Sequence, residues 1–422
     1  MTERAQTLLW LAVLFTIAVM PLLVSPAAKN PYRLPKTLFF QSMMSFIGAG
    51  VFLVIWFVRA EYARLTRHRV AMIIAIAACT WTFIVSKYAL QPALASRANA
   101  TVFGYAIVVA ATLFLARRDI KLPLIAMFAP AIINAIVTVL QALHLWTPIP
   151  LERMPKGRLA AMGLLGNPDY VGAYLMVPAI AAIAAAIAFK ERRRIFLVIA
   201  AILVTGIFFT QSVTAVGAFM VAVMSLAIVV PSKRVRIAVA AIVLLVIGAV
   251  FAYGPTRTRL LHMREFLKSG QLMEFSSYRP PAVMVALDMF RERPLLGVGP
   301  GNYEARYMDY KLRVDERFPQ WIRPMNANFG EAHNDHVQLL AEAGLPGYLL
   351  YLVALGYIAS ISFRRRDAQS QRARFARVFA FPAVVGFAVV GLAQFPLYLT
   401  VVTGTALFAC SLALVWSHDE GD

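Results

Sequence analysis

The segment Glu331-Ala332-His333-Asn334-Asp335-His336 sets two of the chain's six histidines three residues apart beside acidic side chains. A histidine titrates near neutral pH, which suits it to take a proton from a hydroxyl nucleophile or to hydrogen-bond a phosphate. The spacing puts His336 about one helical turn from His333 on nearly the same face, so either ring is a candidate base. No third ligand stands at a spacing typical of metal sites, and no metal is expected. The plain alternative is that the two rings cap the helix that follows.

Arginine is the second signal. Arg158 lies in a medium connection, and Arg279, Arg291, Arg293, Arg306, Arg313, Arg317 and Arg323 lie in a long one. Long loops cross a membrane whatever their charge, which accounts for most of these residues. Arg158 and Arg279 differ in preceding a small-residue turn or a helix start, where a guanidinium can grip a phosphate through two parallel hydrogen bonds. A lipid pyrophosphate needs that grip: its charge grows as the glycosyl bond breaks, so fixed cations favour the transition state over the ground state. No nucleotide or other cofactor is required. Gly163-Leu164-Leu165-Gly166-Asn167-Pro168-Asp169 reads as a turn entering a helix, with Asn167 and Asp169 as caps. The glycines of Gly297-Val298-Gly299-Pro300-Gly301-Asn302 serve backbone geometry first, although amides in such a turn can cradle an anion.

The elements that carry these residues are membrane helices. The chain of 422 residues is 60% hydrophobic and only 15% charged, outside the range of soluble domains. Apolar runs of about 17 to 25 residues recur along it, each long enough to cross a bilayer. Twelve spans are expected, at 7–27, 37–58, 70–90, 101–116, 122–146, 169–189, 195–212, 214–231, 237–253, 337–362, 378–397 and 399–416. The first could pass for a secretory signal, but its length is that of a span and its leading charge is weak. The net charge of +20 sits in short clusters between apolar runs, which speaks for topology and against nucleic acid.

With a cytoplasmic N-terminus, the clusters Arg59/Arg64/Arg67/Arg69, Arg117/Arg118/Lys121, Lys190/Arg192/Arg193/Arg194, Lys233/Arg234/Arg236 and Arg364 to Arg377 all fall inside. Both termini are then cytoplasmic. The connections near Lys87 to Arg97 and Gln211 to Thr214, a medium loop at 147–169 and a large loop at 254–336 face the periplasm. The expectation is one all-α, polytopic domain over 1–422. A loop of that length is usually functional. Its apolar content predicts short interfacial helices whose apolar faces turn toward lipid or toward the helix bundle, with Val283, Ala286, Leu287 and Phe290 on one face of a helix that Pro294 stops. Cys79 and Cys410 fall inside spans and read as small apolar residues.

These residues together resemble the O-antigen ligase and polymerase superfamily of bacterial envelope enzymes. His333-Asn334, then nine residues, then Gly344-Leu345-Pro346-Gly347 is similar to the family's His-Asn and Gly-x-x-Gly signature. Arg279, the run from Arg293 to Asn302, and Arg158 with Gly166-Asn167-Pro168 support it in order across about residues 150 to 350. The resemblance implies a GT-C-like helical fold in the bacterial inner membrane and a metal-independent, inverting glycosyltransferase without cofactor. Its donor would be an undecaprenyl-pyrophosphate-linked glycan and its acceptor, in a ligase, a sugar of lipid A-core. Carried over, His333 is the base or acceptor-orienting residue, with His336 as alternative, and Arg158 and Arg279 bind pyrophosphate. Arg293, Asn302, Asn334 and Asn167 are further substrate-binding candidates. Family members often place an arginine after the serine of Thr210-Gln211-Ser212-Val213-Thr214, whereas this chain has Val213, which puts a role for that turn in doubt. A chain-extending polymerase or a protein O-oligosaccharyltransferase shares the donor; the short sequence after the last span leans toward ligase. A secondary transporter is the alternative from another class, but it would place charges at mid-membrane, and here the chemistry gathers in the large loop.

Overall fold

A computed structural model describes residues 2–57, 66–116, 119–147, 157–321, 329–364 and 370–418. Arg59, Arg64, Arg117, Arg118 and Arg323, residues 148–156 of the medium loop and part of the 364–377 basic run lie outside the described residues. Helices are the regular elements of the described residues, which hold no strand. In chain order the long helices are α1 (Thr2–Val19), α2 (Leu34–Phe57), α3 (Arg69–Lys87), α4 (Pro92–Leu115), α5 (Lys121–Ala142), α6 (Pro168–Ala188), α7 (Arg193–Phe209), α8 (Val213–Val229) and α9 (Lys233–Ala252). The large loop forms α10 (Gly254–Lys268), the short α11 (Leu272–Phe275), α12 (Pro280–Glu292) and α13 (Tyr303–Arg317). The chain closes with α14 (Asp335–Ser360), α15 (Gln371–Gly391) and α16 (Thr400–Trp416). Nine of the described helices are long and apolar enough to cross a membrane, and α8 and α16 are shorter apolar helices. The protein is a multi-pass membrane protein, and each of the twelve expected spans falls on a helix.

Helix α6 runs through the centre, buried along nearly its whole length and packed on α7, α8 and α15. It can be central because its surface is small: Ala179, Ala181, Ala182, Ala184, Ala185 and Gly172 let neighbouring backbones come close. A Cβ on Gly172 would stand 2.5 Å from the Ala215 Cβ of α8. By contrast α9 buries only Val239 and Val246 and presents the rest of its apolar surface outward, as a helix does when lipid is its neighbour.

Two boundaries differ from expectation for physical reasons. Helix α4 starts at Pro92 and not near 101, because Pro fits the first turn and the polar Asn99 finds a partner, its amide donating to Ser86 Oγ at 2.8 Å. The expected span 378–397 stops at Gly391, and 392–398 becomes an irregular connection ending in a short 3-10 turn. Helix α12 forms where expected; it buries Ala282, Val285, Ala286 and Met289 and leaves Val283, Leu287 and Phe290 half-exposed. The buried side packs with Val298, Tyr303, Tyr307, Tyr310, Val314 and Ala341 in a core of the loop's own. The loop is therefore docked on α14, held by side chains that the smaller Ala282 and Ala286 admit.

Helix α14 is bent to receive it. Gly344 has φ 66° and ψ −176°, a conformation open to glycine almost alone. Its position lets Leu345 N–H donate to Pro294 O at 2.8 Å. Val298 N–H donates to Ala341 O at 2.8 Å and Gly299 N–H to Glu342 O at 3.1 Å. Carbonyls released by the kink thus find partners in the loop, and the Gly-x-x-Gly turn is the seat of the 294–299 segment.

Candidate functional site

Connections from five parts of the chain meet at one end of the bundle. Asn167 caps α6, accepting from Asp169 N–H at 2.8 Å, and so fixes the first helical turn. The turn before it is held by buried Lys36 of α2, whose Nζ donates to Leu164 O at 2.8 Å and also to Leu23 O. Asp169 accepts a bidentate pair from Arg158, Nη1 to Oδ1 at 3.1 Å and Nη2 to Oδ2 at 3.0 Å. Ser212, the cap of α8, donates to the same Oδ1 at 2.6 Å. The turn put in doubt by Val213 therefore does join the site, through Ser212.

Two further guanidiniums approach the same carboxylate. Arg279, at the start of α12, donates Nη1 to Ala393 O at 2.7 Å, and Arg259 of α10 donates Nη1 to Gln211 O at 2.6 Å. Each is aimed by one backbone carbonyl. Burial lowers the pKa of Arg279, with the Asp169 charge opposing and Arg158 adding to the fall. Arg259 is pushed down to about 10, mainly by burial and then by the repulsion of Arg158. Three cations crowded around one anion leave a net positive pocket.

His333 borders it. Its ring lies edge-on between Phe395, 5.0 Å between centroids, and Phe329 at 5.7 Å. The residue holds φ 53°, a strained value for a side chain of this size, and its buried Nδ1 has no partner among the described residues. Burial, and then the charge of Arg279, push its pKa down to about 4, with Asp169 pulling the other way. At neutral pH the imidazole is uncharged and able to accept a proton.

The strain at His333 is maintained from both sides. Before it, Glu331 is ion-paired with Arg33, which also donates to Tyr398 O at 3.2 Å, and Ala332 N–H donates to Gln338 Oε1 at 2.8 Å. After it, Asn334 caps α14 by accepting from His336 N–H at 3.0 Å and Val337 N–H at 3.2 Å, while its own amide donates to Leu392 O at 2.9 Å. Buried Asp335 accepts from Leu397 N–H at 2.9 Å. The 392–398 connection is thus the wall on which the site is built, since it holds Asn334, Asp335, Arg279 and the Phe395 ring.

The remaining expected residues lie elsewhere. His336 points into the bundle, Nδ1 3.2 Å from Tyr348 Oη and Nε2 3.1 Å from Ala388 O, so both nitrogens are engaged within the protein. Arg293 donates to Tyr88 O at 3.2 Å on the outer side of the loop. Asn302 is fully buried, accepting from Gln91 N–H at 2.7 Å, with its amide donating to Gln91 O and Pro300 O. The amides of its glycine-rich turn do cradle a carboxyl group, but an internal one: Gly301 N–H donates to Glu342 Oε2 at 3.0 Å and Tyr303 N–H to Oε1 at 3.1 Å. Among the described residues no group of three or more His, Cys, Asp or Glu is arranged to hold a metal.

Sequence reasoning missed Arg259 and Ser212 and saw in Asp169 only a cap. Arg259 sits in Arg257-Thr258-Arg259, with nothing local to separate it from its neighbours. Only the placement of α10 against the Gln211 turn singles it out.

Fold and site define a multi-pass membrane protein with a cationic pocket at one end of its bundle, facing a neutral histidine. Residues 195–352 match the protein-family model described as O-antigen ligase, a glycosyltransferase-like ligase and polymerase family. This match, which includes the His333 signature, supports the O-antigen ligase superfamily and, in general terms, a function of the ligase or polymerase type. The matched stretch contains Ser212, Arg259, Arg279 and His333; Arg158 and Asp169 come from the chain before it. No curated protein matches this chain significantly.

Proposed function

We propose that the protein is an O-antigen ligase of the bacterial inner membrane. It would transfer polysaccharide from undecaprenyl pyrophosphate to a hydroxyl of a lipid A-core sugar at the periplasmic face, with both termini in the cytoplasm. The observation that carries this reading is the meeting of Arg158 and Arg279 at one carboxylate beside the uncharged His333. In the proposed step the acceptor oxygen attacks the anomeric carbon from the face opposite the leaving group. The bond from that carbon to the pyrophosphate oxygen breaks with inversion. The acceptor's proton goes to His333, and the charge left on pyrophosphate is met by the arginines. No metal or nucleotide enters the balance.

A lipid-borne substrate suits the surroundings. A largely apolar cavity of about 500 Å³ lies between α3, α4, α14 and α16, with Arg33 and Tyr398 among its lining residues. Arg33 is the partner of Glu331, so the cavity's polar lining is tied to the segment that carries His333.

The test is a reconstituted reaction. Purified protein in nanodiscs is given undecaprenyl-pyrophosphate-linked glycan, without nucleotide or added metal, and either lipid A-core or no acceptor. Transfer to lipid A-core is the expected result. Glycan lengthening without that acceptor would make the protein a polymerase instead, and absence of both products would overturn the reading, returning protein acceptors and transport to the front.

A further inference from the structure

The anion pocket has parts to which no role has been given. Arg158 is already gripped bidentately, but by Asp169, in the geometry a phosphate would require. Asp169 is held for that purpose by Ser212 and by the Asn167 cap, and its side chain is only 11% exposed. Arg259 reaches the same place from α10, anchored by a single hydrogen bond to Gln211 O, so most of its five N–H donors are not spent on the protein among the described residues. Arg279 is anchored in the same way by Ala393 O. Three guanidiniums less one carboxylate give the pocket a net charge of +2 before any ligand enters. A pyrophosphate esterified at both ends carries about two negative charges at neutral pH, and its monoester product carries more.

We infer that Arg259 is a third pyrophosphate-binding cation and that Asp169 is an internal counter-anion, holding Arg158 in place until the ligand's phosphate takes over its guanidinium. The inference rests on the pyrophosphate reading above and names the residues that tune it. Without Asp169 the resting pocket would carry three uncompensated cations, mutually repelling and partly buried. With it, Arg158 is preorganised and neutralised. The ligand replaces one anion by another, and Asp169 keeps the charge of the filled site near balance, which favours release of the product. Specificity follows: a monophosphate lipid can occupy one guanidinium fork but not all three, so Arg259 should matter mainly for pyrophosphates.

The experiment measures binding of undecaprenyl pyrophosphate and undecaprenyl monophosphate to the full-length protein in nanodiscs, at two salt concentrations. Arg259→Gln removes one positive charge and should weaken pyrophosphate binding on the order of tenfold while changing monophosphate binding little. Asp169→Asn removes the competing anion and should tighten pyrophosphate binding several-fold. The double variant restores the net charge and should return near wild type. Arg259→Lys, which keeps the charge but not the planar fork, should weaken pyrophosphate binding less than Arg259→Gln does, and decides the question alone if Asp169→Asn does not fold. Unchanged binding in Arg259→Gln, equal loss in the Gln and Lys variants, or weaker binding in a folded Asp169→Asn protein would overturn the inference. Failure of the wild-type protein to bind undecaprenyl pyrophosphate would overturn the parent reading, and this one with it.

Discussion

Gly344→Ala should damage the protein well beyond the loss expected from adding one methyl group. A Cβ at this position would lie 2.1 Å from Leu295 O, 2.4 Å from Leu295 C and 2.9 Å from Pro294 O. All three obstacles are backbone, so no side chain can rotate out of the way. Relief requires the 294–297 segment to lift off α14, which forfeits the bond from Leu345 N–H to Pro294 O and presses on Gly297, itself packed within 2.6 Å of Ala341 O and of the Glu342 carbonyl carbon, measured from its own would-be Cβ. Forcing alanine into φ 66°, ψ −176° costs about 1 to 3 kcal/mol. The lost hydrogen bond adds about 1, and overpacking adds about 1 to 3 more. A total of about 3 to 7 kcal/mol is large against the stability of most folded proteins. The assay is thermal unfolding in detergent, followed by intrinsic fluorescence, where a fall in Tm of roughly 3 to 8 °C is expected for a chain of this length. Gly356→Ala, farther along the same helix with no heavy atom within 4 Å of its added carbon, serves as control and should leave Tm unchanged or slightly raised. A Gly344→Ala protein with the control's Tm would refute the idea that the kink seats the loop.

Other perturbations read the site itself. Because burial and Arg279 hold His333 near pKa 4, kcat/KM should stay flat well below pH 6.5 and fall only as pH nears the lowered value. An acid limb at 6.5 would place the ring in water. The same shift acts on stability with a definite sign: the fold favours neutral His333, so its contribution is complete above about 6.5 and is lost as pH falls toward about 4, which a pH series of Tm would follow. Arg279→Lys should lose about tenfold or more in transfer, since a point charge does not replace the planar fork; wild-type turnover in that variant would leave only a generic charge effect. Asn334→Ala removes the cap of α14 and the bond to Leu392 O, costing about 1 to 2 kcal/mol of stability. It should lower kcat more than it raises KM, and the reverse pattern would show that Asn334 contacts substrate.

Apolar run length carried the architecture, because a helix that must satisfy its own backbone in lipid leaves a signal in composition alone. The short-range parts of the site were also legible: Asn167 as a cap, and Arg158, Arg279 and His333 as candidates; the cap of α14 was sought in the two histidine rings, whereas Asn334 supplies it. Long-range placement was not legible. His333 and His336 read as equivalent three residues apart, yet one sits before the helix at positive φ and the other within it, turned toward Tyr348 and Ala388. The 392–398 wall looked like the end of a span because Leu392, Phe395 and Leu397 are apolar; only the carbonyls and amides that Arg279, Asn334 and Asp335 claim explain why the helix stops. Asn302 and its glycines carried the pattern of an anion cradle, and the group they hold is the Glu342 carboxyl, forty residues on in sequence.

The central claim is that His333 takes the acceptor's proton while the arginines hold pyrophosphate. It is tested most directly by a single-turnover reaction of wild-type and His333→Ala protein, with donor binding measured in the same samples. The account predicts undiminished binding of undecaprenyl-pyrophosphate-linked glycan by His333→Ala and transfer to lipid A-core reduced by a factor on the order of 100 or more. Transfer at the wild-type rate, with donor bound equally well, would contradict it.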